Sequence, residues 1–209
     1  MNKFKFLVLL AFVIGFAGCS NDKKLPIYGE REAKITKDGV DTIYQTIPAF
    51  SFLNQDSTVI TQDTFKDKVY IADFFFTTCS SICPVMHRNM KEIFDQYKDN
   101  QDLMFLSHTI DFKYDKPSVL KNYAQKLGVY GKQWQFVWGK KDDVYGLAEK
   151  SYLTVVEEDS TAPDGYIHQG WLVLIDKEKR IRGAYDGTKT EEVEKLKKDL
   201  PILLAEYKK

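Results

Sequence analysis

The stretch "VYIADFFFTTCSSICPV" (residues 69–85) decides how the rest of the chain is read. Its first eight residues are apolar apart from Asp73, and they are rich in aromatics. A continuous run of this kind predicts a central strand buried on both faces. Pro84 suits a first helical turn, and Met86, Met90, Ile93, Phe94 and Tyr97 then repeat at helical spacing. Cys79 and Cys83 therefore fall at a strand-to-helix junction.

Upstream, "IPAFSFLNQDSTVITQDTF" (47–65) alternates apolar and polar residues around "NQDS" and predicts a β-hairpin. Downstream, "LMFLSHTID" (103–111) predicts a second buried strand, "KPSVLKNYAQKLGV" (116–129) a helix, "WQFVWG" (134–139) a short strand and "KDDVYGLAEKSY" (141–152) a helix. "WLVLID" and "RIRGAYDG" flank "KEK" as a hairpin, and a last helix over 189–207 carries Pro201 near an expected kink or break. Strands interleaved with helices, ending in a hairpin and a helix, indicate one α/β domain. Its mixed central sheet is flanked by helices and preceded by an N-terminal β-hairpin.

The third cysteine belongs to the N-terminus. Lys3 and Lys5 precede the 12-residue apolar stretch "FLVLLAFVIGFA", and "AGCS" follows at 17–20. This is short for a membrane span and reads as an export signal. Small residues before a cysteine resemble the bacterial lipobox, with Cys19 as the lipidated first residue of the mature chain. Ordinary cleavage and an uncleaved anchor are the alternatives. The expected organisation is a lipoprotein signal peptide over 1–18, a membrane-proximal tether with a short strand at its end over 19–45, and a folded domain over 46–209. The chain would then be exported and lipid-anchored, facing the periplasm or cell envelope.

The whole chain has 30 Lys and Arg against 30 Asp and Glu. Removing residues 1–18 takes away two lysines and no acid, leaving 191 residues with a formal net charge of −2. No basic cluster points to nucleic acid as a partner.

An exported cysteine pair is by default a structural disulfide. A bond closing a ring of five residues constrains little unfolded-chain entropy, so stapling explains this pair poorly. A cysteine beside a helix's positive end is favoured as thiolate, which makes it a nucleophile or a metal ligand. Cα atoms four apart in a helical turn lie about 6 Å apart, within disulfide range. Reduced, the two sulfurs suit a soft metal, copper(I) or zinc, with histidine as the expected third ligand.

The chain has three histidines. His87 extends the spacing to Cys-x3-Cys-x3-His, but a fully helical run of eight residues rises about 12 Å, too far for Cys79 and His87 to share an ion. It reads as a solvated helix-face histidine. His108, near Asp111, reads as a satisfied histidine at a strand end. His168 ends the polar loop "EEDSTAPDGYIHQ" just before a strand whose leading residue faces the Cys79 loop if that strand pairs inside the sheet. Asp73 interrupts the apolar strand, where a buried carboxylate needs a partner. It reads either as a residue tuning the site from behind or as one facing solvent at the strand's edge.

"ADFFFTTCSSICPVM", "TIDFKYDKPSVLKNYA" and "GYIHQGWLVLIDKEKRIRGAYDG" together resemble the Sco/SenC family of copper-binding proteins, over about residues 46–189. The upstream "LPIYGERE" is similar to the tether of bacterial members. The resemblance implies a thioredoxin-like fold with one copper ion per domain held by Cys79, Cys83 and His168. It also implies a role as a copper chaperone in assembly of the copper centre of cytochrome c oxidase. The implied partners are the copper-site subunit of that oxidase, the membrane through the lipid anchor, and a thiol reductant protein. Phe112 stands where the family commonly has proline, in a turn and not among the ligands. The rival reading is a thiol–disulfide oxidoreductase using Cys79 and Cys83 as a redox pair to reduce the oxidase's cysteines. A peroxidase of the same fold would want threonine and arginine partners that are not evident around Cys79.

Overall fold

The computed structural model describes residues 23–37, 39–162 and 164–208. In chain order the strands are β1 (Arg31–Thr36), β2 (Gly39–Tyr44), β3 (Ser51–Asn54), β4 (Val59–Thr61), β5 (Val69–Phe75), β6 (Leu103–Thr109), β7 (Trp134–Trp138), β8 (Val156–Glu158), β9 (Tyr166–His168), β10 (Trp171–Ile175) and β11 (Ile181–Asp186). The helices are α1 (Cys83–Gln96), α2 (Pro117–Lys126), α3 (Lys141–Ser151) and α4 (Thr190–Ala205).

Seven strands form one sheet in the order β11-β10-β5-β6-β7-β3-β4. β5, β6 and β7 run parallel, and the remaining neighbours pair antiparallel. The β5-α1-β6 unit beside the β10-β11-α4 unit is the thioredoxin-like arrangement. All seven side chains of β5 and of β6 are buried, as the unbroken apolar runs require. The expected hairpin is β3–β4, whose turn is closed by Asn54 Oδ1 accepting from the N–H groups of Asp56 and Thr58 at 3.0 and 2.9 Å.

Topology brings the distant histidine to the cysteines. β10 pairs antiparallel with β5, Val173 opposite Ala72 and Ile175 opposite Tyr70. The start of β10 therefore lies beside the end of β5, where the Cys79 loop begins.

Two features depart from the sequence reading. α4 runs unbroken through Pro201, although a kink or break is expected there. Val193, Leu196, Leu200, Leu203 and Leu204 are buried on both sides of the proline, whose own side chain is exposed, so packing holds the helix across the missing hydrogen bond. Within the expected tether, β1 and β2 form a separate two-stranded sheet.

Ahead of that hairpin, Leu25 is buried and Tyr28 bridges to Ile181. The strap is latched by Arg182, buried at 3% exposure. Its guanidinium donates to the carbonyls of Leu25 and Pro26 at 2.6 and 3.0 Å, to Asp176 at 3.1 Å and to Glu206 at 2.8 Å. The Leu25 N–H completes the ring on Glu206 Oε1 at 2.9 Å. Cys19 and the signal segment lie outside the described residues.

Candidate metal centre

β5 ends at Phe75, and the chain turns through Thr77 and Thr78 before α1 starts at Cys83. The turn is fixed from below by Asp115, which accepts from the Thr77 N–H at 2.9 Å, from the Thr77 hydroxyl, and from the Thr109 hydroxyl at 2.5 Å. Burial pushes the Asp115 carboxyl above its ordinary value, against these donors. The Cys79 N–H bonds back to the Phe76 carbonyl at 3.2 Å.

His168 arrives on the segment leading into β10, the antiparallel neighbour of β5. The polar loop expected before it is a short hairpin, β8–β9, with His168 opposite Val156. The hairpin is tied to the cysteine loop by Asp164, which accepts from the Ser80 N–H at 3.0 Å and from the Ser80 hydroxyl at 2.9 Å. Behind it the Gly187 N–H donates to the Gly170 carbonyl at 2.7 Å, and Asn89 of α1 donates to the Gly187 carbonyl at 2.8 Å. A Cβ on Gly187 would sit 2.8 Å from Met86 Cγ and 2.9 Å from Leu172 Cγ, so only glycine lets these elements close. Phe76 meets the His168 ring edge-on at 5.6 Å.

The result is a compact triad. His168 Nε2 lies 3.3 Å from Cys83 Sγ and 4.0 Å from Cys79 Sγ, and all three donor atoms fall within 4.8 Å of one another. Cys79 retains 8% exposure and Cys83 only 1%, while His168 is half-buried, so the site opens on the side of Cys79 and His168. The neighbouring Cys83 thiol holds Cys79 far below the ordinary thiol range against the opposing effect of burial; His168 adds to the lowering. Cys83, keeping the shared proton and more deeply buried, is pushed well above that range. Two sulfurs and an imidazole with one charge already in place form a soft donor set. They suit copper(I) or zinc and disfavour hard cations. The same pair, both cysteines free, is also a dithiol able to close a disulfide.

The other two histidines each depart from the sequence reading, His87 in its burial and His108, at the strand end as expected, in its hydrogen bonding. His87 is not solvated; it is fully buried on the inner face of α1 beside Met86 and Met90. Its Nε2 is 2.8 Å from Asp73 Oδ2, and its Nδ1 is 2.7 Å from the Tyr123 hydroxyl. Asp73, fully buried, also accepts from Ser107 Oγ at 2.5 Å, and Ser107 Oγ accepts from Trp134 Nε1 at 2.8 Å. Asp73 thus lies at the centre of β5 and not at a solvent edge, and it bonds to no donor of the triad.

His108 is buried and only half satisfied. Its Nδ1 is 3.4 Å from the Asp73 carbonyl, while its Nε2 has no partner. It stacks on Phe74 at 4.8 Å amid Phe50, Phe52 and Tyr152, and burial lowers its pKa to about 4. Phe112 closes a turn, its carbonyl accepting from Trp138 Nε1 at 2.9 Å and Lys116 Nζ at 2.8 Å.

Residues 41–201 match the SCO1/SenC family model, over three quarters of the chain. The chain belongs to the SCO1/SenC family. A Bacillus subtilis relative, a SCO1 protein homolog, is 30% identical over 149 residues, covering 70% of this chain and 77% of its own. The crystal structure of a SCO1/SenC family lipoprotein from Bacillus anthracis superposes with a TM-score of 0.70 at 28% identity, covering 77% of this chain and 95% of that one. BsSco, described as a member of the Sco family of cytochrome c oxidase assembly proteins in which a disulfide switch was identified, matches with a TM-score of 0.67 at 27% identity, over 76% and 93% of the two chains. Yeast Sco1, solved with copper bound, shares the fold at 22% identity and a TM-score of 0.59, over 75% and 89%.

Proposed function

We propose that this SCO1/SenC protein is an exported, lipid-anchored copper chaperone. It carries one copper ion on Cys79, Cys83 and His168 and delivers it to the copper-site subunit of a cytochrome c oxidase. The observation that carries the reading is the convergence of two sulfurs and an imidazole within 4.8 Å at the open end of the sheet. Two thiolates favour the cuprous ion, and the imidazole accommodates the cupric one. That BsSco is a cytochrome c oxidase assembly protein supports the choice of acceptor. The Bacillus anthracis lipoprotein supports Cys19 as the anchor.

A second reading rests on the proton asymmetry of the pair. Cys79, held as thiolate and partly accessible, would attack a target disulfide to form a mixed disulfide. Cys83, losing its proton, would displace the target thiolate and leave a Cys79–Cys83 disulfide with a reduced dithiol on the target. Electrons then return from a thiol reductant protein. Both roles use one pair of sulfurs, so copper loading and the disulfide exclude each other.

The test is a copper titration across a redox series with a parallel thiol count. The expected result is one copper per domain with two free thiols, none when oxidised, and full recovery after a dithiol reductant. Cys79→Ser and Cys83→Ser should each abolish tight copper(I) binding, and His168→Ala should impair copper(II) more than copper(I). One-to-one binding by fully disulfide-bonded protein would refute the chaperone reading. Reduction of an oxidised oxidase fragment without copper transfer would favour the second.

A further inference from the structure

The latch at Arg182 lies at the start of β11, and the far end of that strand runs up to the triad. Tyr28 bridges to Ile181 at the start of β11, and Gly187, just past its end, packs behind His168 through Gly170. Six residues of extended chain separate the two, a distance of about 20 Å. The turn between β10 and β11 lies at the latch end, and the Ile47 N–H bonds to the Lys179 carbonyl there at 2.8 Å. The β1–β2 hairpin is rooted at this pole as well, closed by the Gln45 N–H on the Glu30 carbonyl at 2.8 Å. Near its turn it presents Ile35 opposite Val40, 86% and 69% exposed among the described residues. An isolated two-stranded ribbon with an apolar pair toward its end fits poorly with open water and well with a lipid interface.

We propose that the latch pole of the domain is the face that rests on the bilayer. The Cys79–Cys83–His168 centre is thereby held about 20 Å or more clear of the lipid, on the side open to solvent. The inference rests on the lipid-anchor reading of Cys19. Because Leu25 is already bound, only residues 20–24 join the anchor to the folded body. The six steps from Cys19 to Leu25 span at most about 21 Å when fully extended. Inverting the domain so that the triad met the lipid would need nearly all of that length, before the chain had cleared the width of the body. A short linker thus acts as an orienting device, and the residues that set its length are Arg182, Asp176 and Glu206, through Leu25 and Pro26.

The experiment uses the lipidated full chain with Cys79→Ser and Cys83→Ser, carrying a donor dye on one introduced cysteine, Lys24→Cys or Thr78→Cys. It is reconstituted into phosphatidylcholine vesicles containing a rhodamine-headgroup acceptor. Energy transfer is expected to be several-fold stronger from position 24 than from position 78. Inserting ten Gly/Ser residues between Asp22 and Lys23, ahead of the latched Leu25, should erase most of that contrast. Equal transfer from the two positions in vesicle-bound protein overturns the orientation while leaving the anchor intact. Contrast that survives the insertion overturns linker length as its cause. A chain that fails to float with the vesicles overturns the anchor reading instead.

Discussion

His87 Nε2 lies 2.8 Å from Asp73 Oδ2, with both side chains sealed from solvent one helical turn beyond Cys83. The contact pins α1 to β5 at the level where α1 presents its cysteine. Through Ser107, Trp134 and Tyr123 it extends into β6, β7 and α2. Every member has a partner, which is the condition under which a buried polar cluster specifies a register and does not weaken the core.

His87→Phe is expected to lower stability by about 3 kcal/mol, because it leaves the Asp73 carboxylate buried with only Ser107 to satisfy it. The double variant His87→Phe/Asp73→Leu should cost clearly less than the two single changes added together. Urea midpoints at constant slope measure both; strict additivity would show that the pair is not coupled.

His108 sets a separate dependence on pH. Burial lowers its pKa from 6.5 to about 4, so the folded state favours the neutral ring. The unfolded chain binds the proton first as pH falls. Stability is therefore fully present above about pH 6.5, declines between 6.5 and 4, and levels off below, for a total loss of about 3 kcal/mol from this group. His108→Phe should remove that component, read as the difference between the two proteins' stability curves over this window. Parallel curves would contradict it.

Alkylation kinetics report the proton asymmetry of the cysteines. Iodoacetamide should modify Cys79 before Cys83, at a rate nearly flat from pH 5 to 7, since Cys79 is already thiolate. Cys83→Ala removes the strongest donor to that sulfur, so the rate at Cys79 should regain a steep rise with pH. Mass spectrometry of quenched samples identifies the residue modified.

Asp164 is expected to affect the centre without affecting the fold. It is the tie between the His168 hairpin and Ser80, at a half-buried position. Asp164→Ala should weaken copper(I) retention about 10-fold, in the range usual for groups that orient ligands, with a negligible change in melting temperature. Loss of thermal stability in parallel would assign Asp164 a purely structural role.

The strand at 69–75, the helix after Pro84 and the β3–β4 hairpin were legible because apolar runs, spacing and turn residues act locally. The triad was half legible. Strand-to-helix position marks the cysteines, but His168 is 85 residues from Cys83, and only the antiparallel pairing of β10 with β5 brings it near. His87 misleads because a histidine on a helix reads as polar. The clue was Asp73, a carboxylate within an apolar strand that requires a buried partner, with His87 next to Met86 on the inward stripe. Ser80 and Asp164 carry no signal, being common polar residues 84 apart.

The three donors differ in how firmly the protein holds them. Cys83 begins a 14-residue helix, and Cys79 sits on a turn clamped by Asp115. His168 ends a three-residue strand on a two-stranded ribbon. In the proposed transfer this difference in stiffness sets an order of departure. An incoming acceptor sulfur would displace the imidazole first, because the imidazole stands on the shortest of the three supporting elements, while the two sulfurs keep the ion until the acceptor supplies a second ligand. A cargo passed on in this sequence is never free in water, and the weakest mooring is the one that faces the recipient.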